Sequence, residues 1–381
     1  MKEQLERQLC DKIIPFWINL IDPEWGGFYG LIDNHHHIDP LAPKGLVQQA
    51  RLLWAFSSLA RHYHNDTYLD IAHHQYDYLT STFRNHEEHN YFWLMDYRGR
   101  PIDKRIVTYG QSFMLYALSE FYLLTKDPRV LGRAMGCFEW IEQQAFDSIR
   151  MGYIEEFDAF GSPLKNQLLT DGCANAVFTG NTLIHLLESH LNLYLAEPSQ
   201  RVKRALERIL TIFTDRLYDK DTGQIFMYMD EHYYPVLKKR CYGHEVEVSW
   251  LIEEANEALK IDDHLHMSEH IMTTAFRAGW NGRYLMVDEA DPEEHHVWWV
   301  SSELMIALSK KYAKTHDPHD LEMIRTLYQS IETDLVDPTP GGEWYWSRAK
   351  NGEINQERMM GELWKTPYHN VRSLLKVIQR M

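Results

Sequence analysis

The chain has 381 residues, of which 44% are hydrophobic and 25% are charged, as in an ordinary globular protein. Aspartate and glutamate number 55 against 39 lysines and arginines, which gives a formal charge of −16 at pH 7. This acidic balance, together with the lack of any run of basic residues, excludes nucleic acid and anionic membranes as expected partners.

The N-terminal segment, Met1 to Ile21, mixes charged with apolar residues and contains Pro15. It lacks the apolar core of a signal peptide and the length of a membrane span. The cysteines are scattered and form no Cys-x-x-Cys pair: they are Cys10, Cys137, Cys173 and Cys241. This scatter predicts reduced side chains rather than a disulfide framework or a zinc site. We therefore expect a cytoplasmic protein.

A short aromatic run followed by an acidic or Gly/Pro turn recurs roughly every 60–70 residues, and such a period is typical of a repeat fold. The runs are Gly26 to Asp33, Tyr91 to Asp96, Gly152 to Asp158, Gly223 to Asp230, Gly282 to Asp288 and Gly341 to Trp346. Alternating aromatics bounded by turn residues predict short strands or hairpins. Flat rings beside Gly, Asp and His also suit the faces of sugars, so carbohydrate is the favoured ligand class.

Two helical patterns separate successive runs, with apolar residues at three- and four-residue spacing. The predicted helices are Val47 to His64, Tyr68 to Phe83, Val107 to Leu124, Val130 to Phe146, Asn181 to Leu195, Gln200 to Leu217, Val246 to Leu259, Leu265 to Ala278, Trp299 to Lys311 and Leu321 to Leu335. The ends of the chain, Glu3 to Leu20 and Pro367 to Gln379, complete a sixth pair. Six helix pairs and six hairpins predict an all-α fold, an (α/α)6 barrel with short β-hairpins rimming one mouth. The lack of a Ser/Gly-rich linker favours a single domain over residues 1–381.

Several polar residues interrupt otherwise apolar faces of the predicted inner helices. They are Arg51, Tyr109, Asn181 and His185. Polar groups are costly to bury without partners, so we expect these side chains to line the lumen of the barrel. Arg51 is then either a structural ion-pair partner or a donor that stabilises an anion. Adjacent rings cannot face one side of a helix, so one of Trp298 and Trp299 should face the funnel and the other the core.

Two histidines lie in aromatic and acidic settings far apart in the chain. His244 follows a glycine and lies three residues before Glu247, so on a helix start the two side chains share a face. A carboxylate beside a histidine raises its pKa and fixes its tautomer, which suits a general acid/base. His369 follows Pro367, which is typical of a helix start. Two histidines on opposite faces of one small substrate predict a proton-transfer enzyme.

Rival classes stay open on these residues alone. His244, Glu247 and His369 have the composition of a 2-His-1-carboxylate metal site, as in a metal-dependent sugar isomerase. A glycoside hydrolase needs two carboxyl groups flanking the scissile bond, roughly 5–10 Å apart. Glu245 and Glu247 are two residues apart and diverge on a helix, which disfavours that class. A non-catalytic sugar-binding protein is the third alternative.

Longer motifs in the chain resemble those of cellobiose 2-epimerases, within the N-acylglucosamine 2-epimerase family. The motifs are YGHEVEVSWL at 242–251, VWWV at 297–300, GGEWY at 341–345 and WKTPYHN at 364–370. The N-terminal IPFW (14–17), GGFYG (26–30) and ARLLW (50–54) are similar as well. The resemblance covers essentially the whole chain, and that family also holds mannose isomerases and mannose 2-epimerases. Its fold is an (α/α)6 barrel, which agrees with the repeat.

The resemblance implies a role for each candidate residue. His244 and His369 would be the acid/base pair, with Glu247 supporting His244, and Arg51 would hold the oxygen of a cis-enediolate. The substrate would be bound by Tyr109, Asn181, His185, Trp299 and Trp364. It implies epimerisation of the reducing-end glucose or mannose unit, with no metal and no cofactor, by a monomer or a homodimer.

One segment departs from the cellobiose epimerase pattern. Those enzymes tend to carry Lys-[Ser/Thr]-Met-Asn after a long polar loop, whereas this chain reads Phe178-Thr179-Gly180-Asn181 after a shorter approach. The altered loop favours a monosaccharide substrate, acted on by a mannose 2-epimerase or a mannose isomerase. Trp364 favours a disaccharide. The sequence leaves both alternatives open.

Overall fold

The computed structural model describes residues 1–86, 88–173 and 175–381. The helices of this part of the chain are α1 (Lys2–Arg7), α2 (Ile14–Ile18), α3 (Leu46–Tyr63), α4 (Asp66–Tyr78), α5 (Thr108–Thr125), α6 (Pro128–Trp140), α7 (Gly180–Ala196), α8 (Gln200–Ile212), α9 (Tyr242–Leu259), α10 (Leu265–Gly279), α11 (Trp298–Thr315), α12 (Pro318–Asp334) and α13 (Tyr368–Arg380). Four short π-helical stretches adjoin α1 and α2, α4, α6 and α8, at Gln8–Ile13, Leu79–Phe83, Ile141–Ala145 and Phe213–Leu217.

Six of these helices form a closed inner ring. In chain order α3, α5, α7, α9, α11 and α13 each contact the next, and α13 returns to contact α3. The outer helices α4, α6, α8, α10 and α12 each pack on the inner helix that precedes them, while α1 packs on α13. The predicted (α/α)6 barrel is confirmed. Because α13 closes the inner ring on α3 and the N-terminal helix α1 packs on α13, we propose that residues 1–381 form one domain.

The two rings differ in how their sequences are buried. Outer helix α8 is amphipathic, with Val202, Leu206 and Ile209 buried at three- and four-residue spacing, and Ser199 caps its first turn. Inner helix α5 is buried on nearly every face, including polar residues such as Gln111. A helix enclosed on all sides has to satisfy its polar side chains internally.

Short strands connect the helices. They are β1 (Leu31–Ile32), β2 (Ile38–Asp39), β3 (Lys44–Gly45), β4 (Leu94–Met95), β5 (Pro101–Asp103), β6 (Ile106–Val107), β7 (Phe146–Asp147), β8 (Gly152–Tyr153), β9 (Glu156–Phe157), β10 (Pro163–Leu164), β11 (Phe178–Thr179), β12 (Tyr228–Met229), β13 (Pro235–Leu237), β14 (His296–Val297) and β15 (Ser347–Arg348). The described ladders are antiparallel and hold two or three strands each, in the orders β1-β2, β3-β4-β5, β10-β9-β6, β7-β8, β11-β12-β13 and β14-β15.

Strands fall inside four of the six predicted aromatic runs. The runs that begin at Gly282 and Gly341 hold only isolated bridges in the described structure, such as the one from Trp280 to Leu285. For these two runs the strand prediction is wrong. In the first, the side chain of Asn281 accepts hydrogen bonds from the backbone N–H groups of Arg283 and Tyr284. Such a side-chain turn competes with a regular ladder.

The hairpins position the start of the inner helices at one mouth of the barrel. Strand β3 runs directly into α3, β6 into α5, β11 into α7 and β14 into α11. Residues on the first turns of these helices therefore face the same space. Across the described residues, each helix is too short or too polar to traverse a lipid bilayer. The four cysteines are free thiols, as expected from their scatter.

Candidate active site

All nine side chains that the sequence singled out line one cavity of about 330 Å³. They are Arg51, Tyr109, Asn181, His185, His244, Glu247, Trp299, Trp364 and His369. Four of them are the second residue of an inner helix, and His244 is the third residue of its helix. Residues far apart in the chain meet because equivalent first turns converge at the mouth of the barrel.

This convergence gives the cavity a positive electrostatic potential, because several helix N-termini meet there. The first N–H groups of a helix have no intrahelical acceptor, and the helix dipole adds a partial positive charge at that end. Helices α5, α7, α9, α11 and α13 all begin at the cavity wall. The site therefore favours a substrate that develops negative charge.

His369 is held in one orientation by a buried carboxylate. Its Nδ1 lies 2.6 Å from Oε1 of Glu303, which also accepts hydrogen bonds from Arg372 Nη2 at 2.6 Å and, at its Oε2, from Trp250 Nε1 at 3.0 Å. An acceptor with these donors directs the proton of the neutral imidazole to Nδ1 and leaves Nε2 as the base. Burial, then the charges of Arg372 and Arg51, lowers the pKa of His369 well below its ordinary value.

His244 has a different environment. Burial, followed by the neighbouring His185, lowers its pKa to about 3, so its imidazole is neutral near pH 7. Its Nδ1 is buried without a hydrogen-bond partner in the described structure. The ring centroid of Trp299 lies 4.8 Å from that of His244 and 5.9 Å from that of His369. The two imidazoles thus contact the same indole, and only His369 is backed by a carboxylate.

The expectation that Glu247 supports His244 and raises its pKa is wrong. Glu247 Oε1 accepts a hydrogen bond from Arg372 Nη2 at 2.8 Å, and its carboxylate lies on the His369 side of the cavity, within 4.8 Å of the ligand atoms of Glu303 and His369. Burial, then the charge of Glu303, raises the pKa of Glu247 to about 7. A buried arginine from the last helix attracts this carboxylate, and local spacing on α9 gives no sign of that partner.

Arg372 is the centre of a charged cluster beneath the cavity. Besides Glu247 and Glu303, its guanidinium contacts Glu188 and the hydroxyl of Tyr368. Breaking such a buried ion pair on one side typically costs about 3–5 kcal/mol, because the remaining charge is left unpaired. Sequence reasoning missed Arg372, Glu303 and Glu188. A spacing signal did exist, since each lies three or four residues after a cavity residue on the same helix.

A metal ion does not fit this cluster. Among the described residues, the group whose ligand atoms lie close enough together is Glu247, Glu303 and His369, and it does not include His244. Arg372 already donates hydrogen bonds to both carboxylates, and His369 Nδ1 is engaged with Glu303. A cation placed there would have to displace the guanidinium that neutralises the same oxygens. The predicted 2-His-1-carboxylate set is therefore not the set that the fold assembles.

Arg51 is a fixed cation in the cavity wall. Its Nη1 donates to the backbone oxygen of Trp364 at 2.7 Å, and its Nη2 donates to the Tyr109 hydroxyl at 3.1 Å. The guanidinium carbon lies 4.3 Å from the ring centroid of Phe113 and 4.9 Å from that of Tyr368. Burial raises the pKa of Tyr109 to about 12, so the phenol keeps its proton. Both groups are preorganised hydrogen-bond donors.

Four lining residues carry buried polar atoms without a partner in the described structure. These are Arg51 Nε, Asn181 Oδ1, His244 Nδ1 and Trp298 Nε1. Buried polar atoms in native proteins are nearly always satisfied, so an unpaired set around a cavity indicates a polar ligand. His185, in contrast, is engaged, since its Nδ1 lies 3.2 Å from Glu188 Oε2.

A second chamber of about 630 Å³ adjoins the first and shares seven lining residues with it. The shared residues are Asp171, Asn181, His244, Trp299, Trp346, Arg358 and Trp364. Asp171, Trp346 and Arg358 were not predicted as site residues, because loops carry them to the mouth. Arg358 lies over the ring of Trp346, at 4.6 Å from its centroid. The outer chamber therefore offers aromatic faces and charged donors next to the histidines.

Known proteins of one family match this chain over nearly its whole length. The sequence profile of the N-acylglucosamine 2-epimerase (GlcNAc 2-epimerase) family matches residues 27–373. The cellobiose 2-epimerase of Dictyoglomus turgidum (strain DSM 6724 / Z-1310) is 33% identical, over 100% of this chain and 99% of that protein. The one from Bacteroides fragilis is 30% identical, over 99% and 98%. The structure of cellobiose 2-epimerase from Bacillus thermoamylovorans B4167 superposes with a TM-score of 0.95 at 31% identity, over 100% of this chain and 99% of that one.

Proposed function

Since the chain belongs to the N-acylglucosamine 2-epimerase family and is a carbohydrate 2-epimerase, we propose that it acts on the reducing-end glucose or mannose unit of its substrate through a cis-enediolate. One observation carries this proposal. Two neutral imidazoles, His244 and His369, contact the same indole of Trp299 in a cavity that Arg51 also lines. Two bases and a fixed cation are the groups that C2 proton transfer needs.

The reaction begins when the sugar ring opens to its aldehyde, which makes the C2 proton removable. We assign the base to His369, because Glu303 stabilises the imidazolium that forms when Nε2 takes the proton. The enediolate oxygen then receives charge-assisted hydrogen bonds from Arg51 and lies in the field of the helix N-termini. These donors are positioned before the charge develops, so little reorganisation is needed.

Epimerisation is completed from the other face. The intermediate rotates about C2–C3. His244 takes up a proton from water and transfers it to C2, and His369 releases the abstracted proton to water. The negative charge of the enediolate favours the protonated form of His244 and so opposes the effect of burial, which lowers the pKa of that imidazole. If the proton goes to C1 instead, the product is a ketose. The same residues thus account for an aldose–ketose isomerase as the alternative activity.

The outer chamber supports a disaccharide substrate. A single sugar unit fits an inner cavity of about 330 Å³, and the adjoining 630 Å³ has Trp346 and Trp364 as walls for a second ring. The names of the relatives, cellobiose 2-epimerases, point the same way. The monosaccharide alternative rests on the altered segment Phe178-Thr179-Gly180-Asn181, whose Asn181 lines both chambers.

A glycoside hydrolase is poorly supported by the carboxylates. Glu245 is tied to Arg240, with Oε2 at 2.7 Å from Nη2, and it does not line either chamber. Glu247 and Glu303 share the guanidinium of Arg372 on one side of the cavity, so they do not flank a bond from two faces.

Incubation with cellobiose, lactose, mannose and glucose, followed by chromatographic separation of the products, tests the proposal. We expect the C2 epimer of each accepted sugar, with the disaccharides turned over faster. A ketose as the main product would replace epimerase with isomerase, and free monosaccharides from cellobiose would indicate hydrolysis. The cytoplasmic location and the monomeric or homodimeric state stay predictions.

A further inference from the structure

Glu155 lies outside the cavity, yet it contacts the starts of two inner helices. Its main-chain oxygen accepts a hydrogen bond from the N–H of Thr108 at 2.9 Å. The adjacent carbonyl of Ile154 accepts one from the Thr108 hydroxyl at 2.5 Å. Thr108 is the first residue of α5 and directly precedes Tyr109. This segment of backbone therefore holds the turn that presents the Tyr109 phenol to the cavity.

The side chain of Glu155 reaches the next inner helix. Its Oε1 accepts hydrogen bonds from the N–H of Thr179 at 2.9 Å and from the Thr179 hydroxyl at 2.7 Å. Its Oε2 accepts one from the Thr182 hydroxyl at 2.5 Å. Thr179 caps α7, and Thr182 lies one residue beyond Asn181. The carboxylate thus holds the first turn of α7 on both sides of Asn181.

We propose that Glu155 is a positioning residue, which fixes the Tyr109 and Asn181 side chains relative to each other and thereby sets the affinity of the site for its sugar. The inference rests on the proposed function, in which both side chains bind substrate. A misplacement of about 1 Å, even from a change far from the chemistry, can cost about 100-fold in rate. Glu155 hydrogen-bonds to the first turns of both α5 and α7, which carry Tyr109 and Asn181.

The chemistry of Glu155 favours this role over a purely stabilising one. It is 2% exposed, and the groups that hydrogen-bond to its carboxylate in the described structure are threonine hydroxyls and a backbone N–H, all neutral. Burial raises its pKa to about 7, because the charged carboxylate is less stable in the protein interior than in water. Apolar side chains of similar size would often stabilise such a place better. What they could not do is hold two helix starts in register through directed hydrogen bonds.

Kinetics of Thr182→Val and Thr182→Ser test the proposal without removing the glutamate. Valine keeps the shape and loses the hydroxyl, so a hydrogen bond to a charged group disappears, and we expect KM to rise about 10- to 100-fold with kcat within about threefold. Serine restores the hydroxyl and should restore KM. Thr125→Val removes a hydroxyl at the far end of α5, where it donates to the Phe121 carbonyl and accepts from the N–H of Asp127, and should leave KM unchanged.

Glu155→Gln provides a second arm. The amide oxygen can still accept from Thr179, so we expect a KM between those of the parent and Thr182→Val. A lower melting temperature with parental KM in both Thr182→Val and Glu155→Gln would overturn the proposal in favour of a purely structural role. The function itself is tested separately, since its failure would appear as a parent protein without epimerase activity.

Discussion

Replacing Glu303 with Gln isolates the contribution of the charge behind His369. The change keeps the size of the side chain and an oxygen that can accept from Nδ1, 2.6 Å away, but removes the negative charge. Unit charges about 4 Å apart interact by about 4 kcal/mol at an effective dielectric constant of 20. That is about a 10³-fold effect on a step that forms the imidazolium. Because the amide still orients the ring, we expect kcat to fall by about 10²- to 10³-fold.

The assay compares kcat for epimerisation in Glu303→Gln, the parent and a matched control. Glu254→Gln is the control, since Glu254 pairs with Lys376 and Arg380 and lies in neither chamber. We expect the control to retain kcat within about twofold. Arg372 keeps Glu188 and Glu247 as partners in Glu303→Gln, so circular dichroism should show a folded protein. A folded Glu303→Gln with kcat within fivefold of the parent would refute the assignment of His369 as a carboxylate-backed base.

Three further predictions follow from the same site. Prolonged EDTA treatment should leave turnover unchanged, and a loss that a divalent ion restores would favour a metal mechanism. His244→Ala and His369→Ala should each lower turnover by about 10²- to 10⁴-fold in a folded protein, and near-normal turnover in either would remove that histidine from the pair. The pKa of His244 is about 3 in the folded protein and about 6.5 in the unfolded chain. Between these two pH values the imidazole is protonated in the unfolded chain and neutral in the folded protein. The free energy of unfolding therefore falls as the pH falls. Relative to His244→Gln, the parent should lose about 2 kcal/mol in free energy of unfolding between pH 7 and pH 5, and a pH-independent difference would contradict a neutral buried imidazole.

The barrel was predictable because its signal is periodic and repeated. Each helix buries a stripe or a whole surface, so apolar spacing located the helices, with ends that differ by only a few residues. The cavity was predictable for a related reason. Tyr109, Asn181 and His369 are polar residues at the second position of inner helices, where the fold leads each side chain to the same mouth.

The partners of the histidines were less accessible to sequence reasoning. Glu247 lies three residues after His244, yet it is bound by Arg372, which is 125 residues away in the chain. Glu303 backs His369 from another helix, 66 residues away. Which carboxylate pairs with which cation depends on how helices from distant segments pack, and a single sequence carries no local pattern for that choice. The same holds for Asp171, which an irregular loop brings to the cavity.

The central claim is that a proton leaves C2 and is replaced from the opposite face, and isotope incorporation tests it most directly. The reaction is run in D₂O and the epimerised sugar is analysed by NMR at C2. With His244 as a donor that exchanges with water, the account predicts one deuterium at C2 of the epimer, and label at C1 of any ketose by-product. An epimer that keeps its original hydrogen at C2 would contradict the two-histidine enediolate mechanism and indicate a hydride shift.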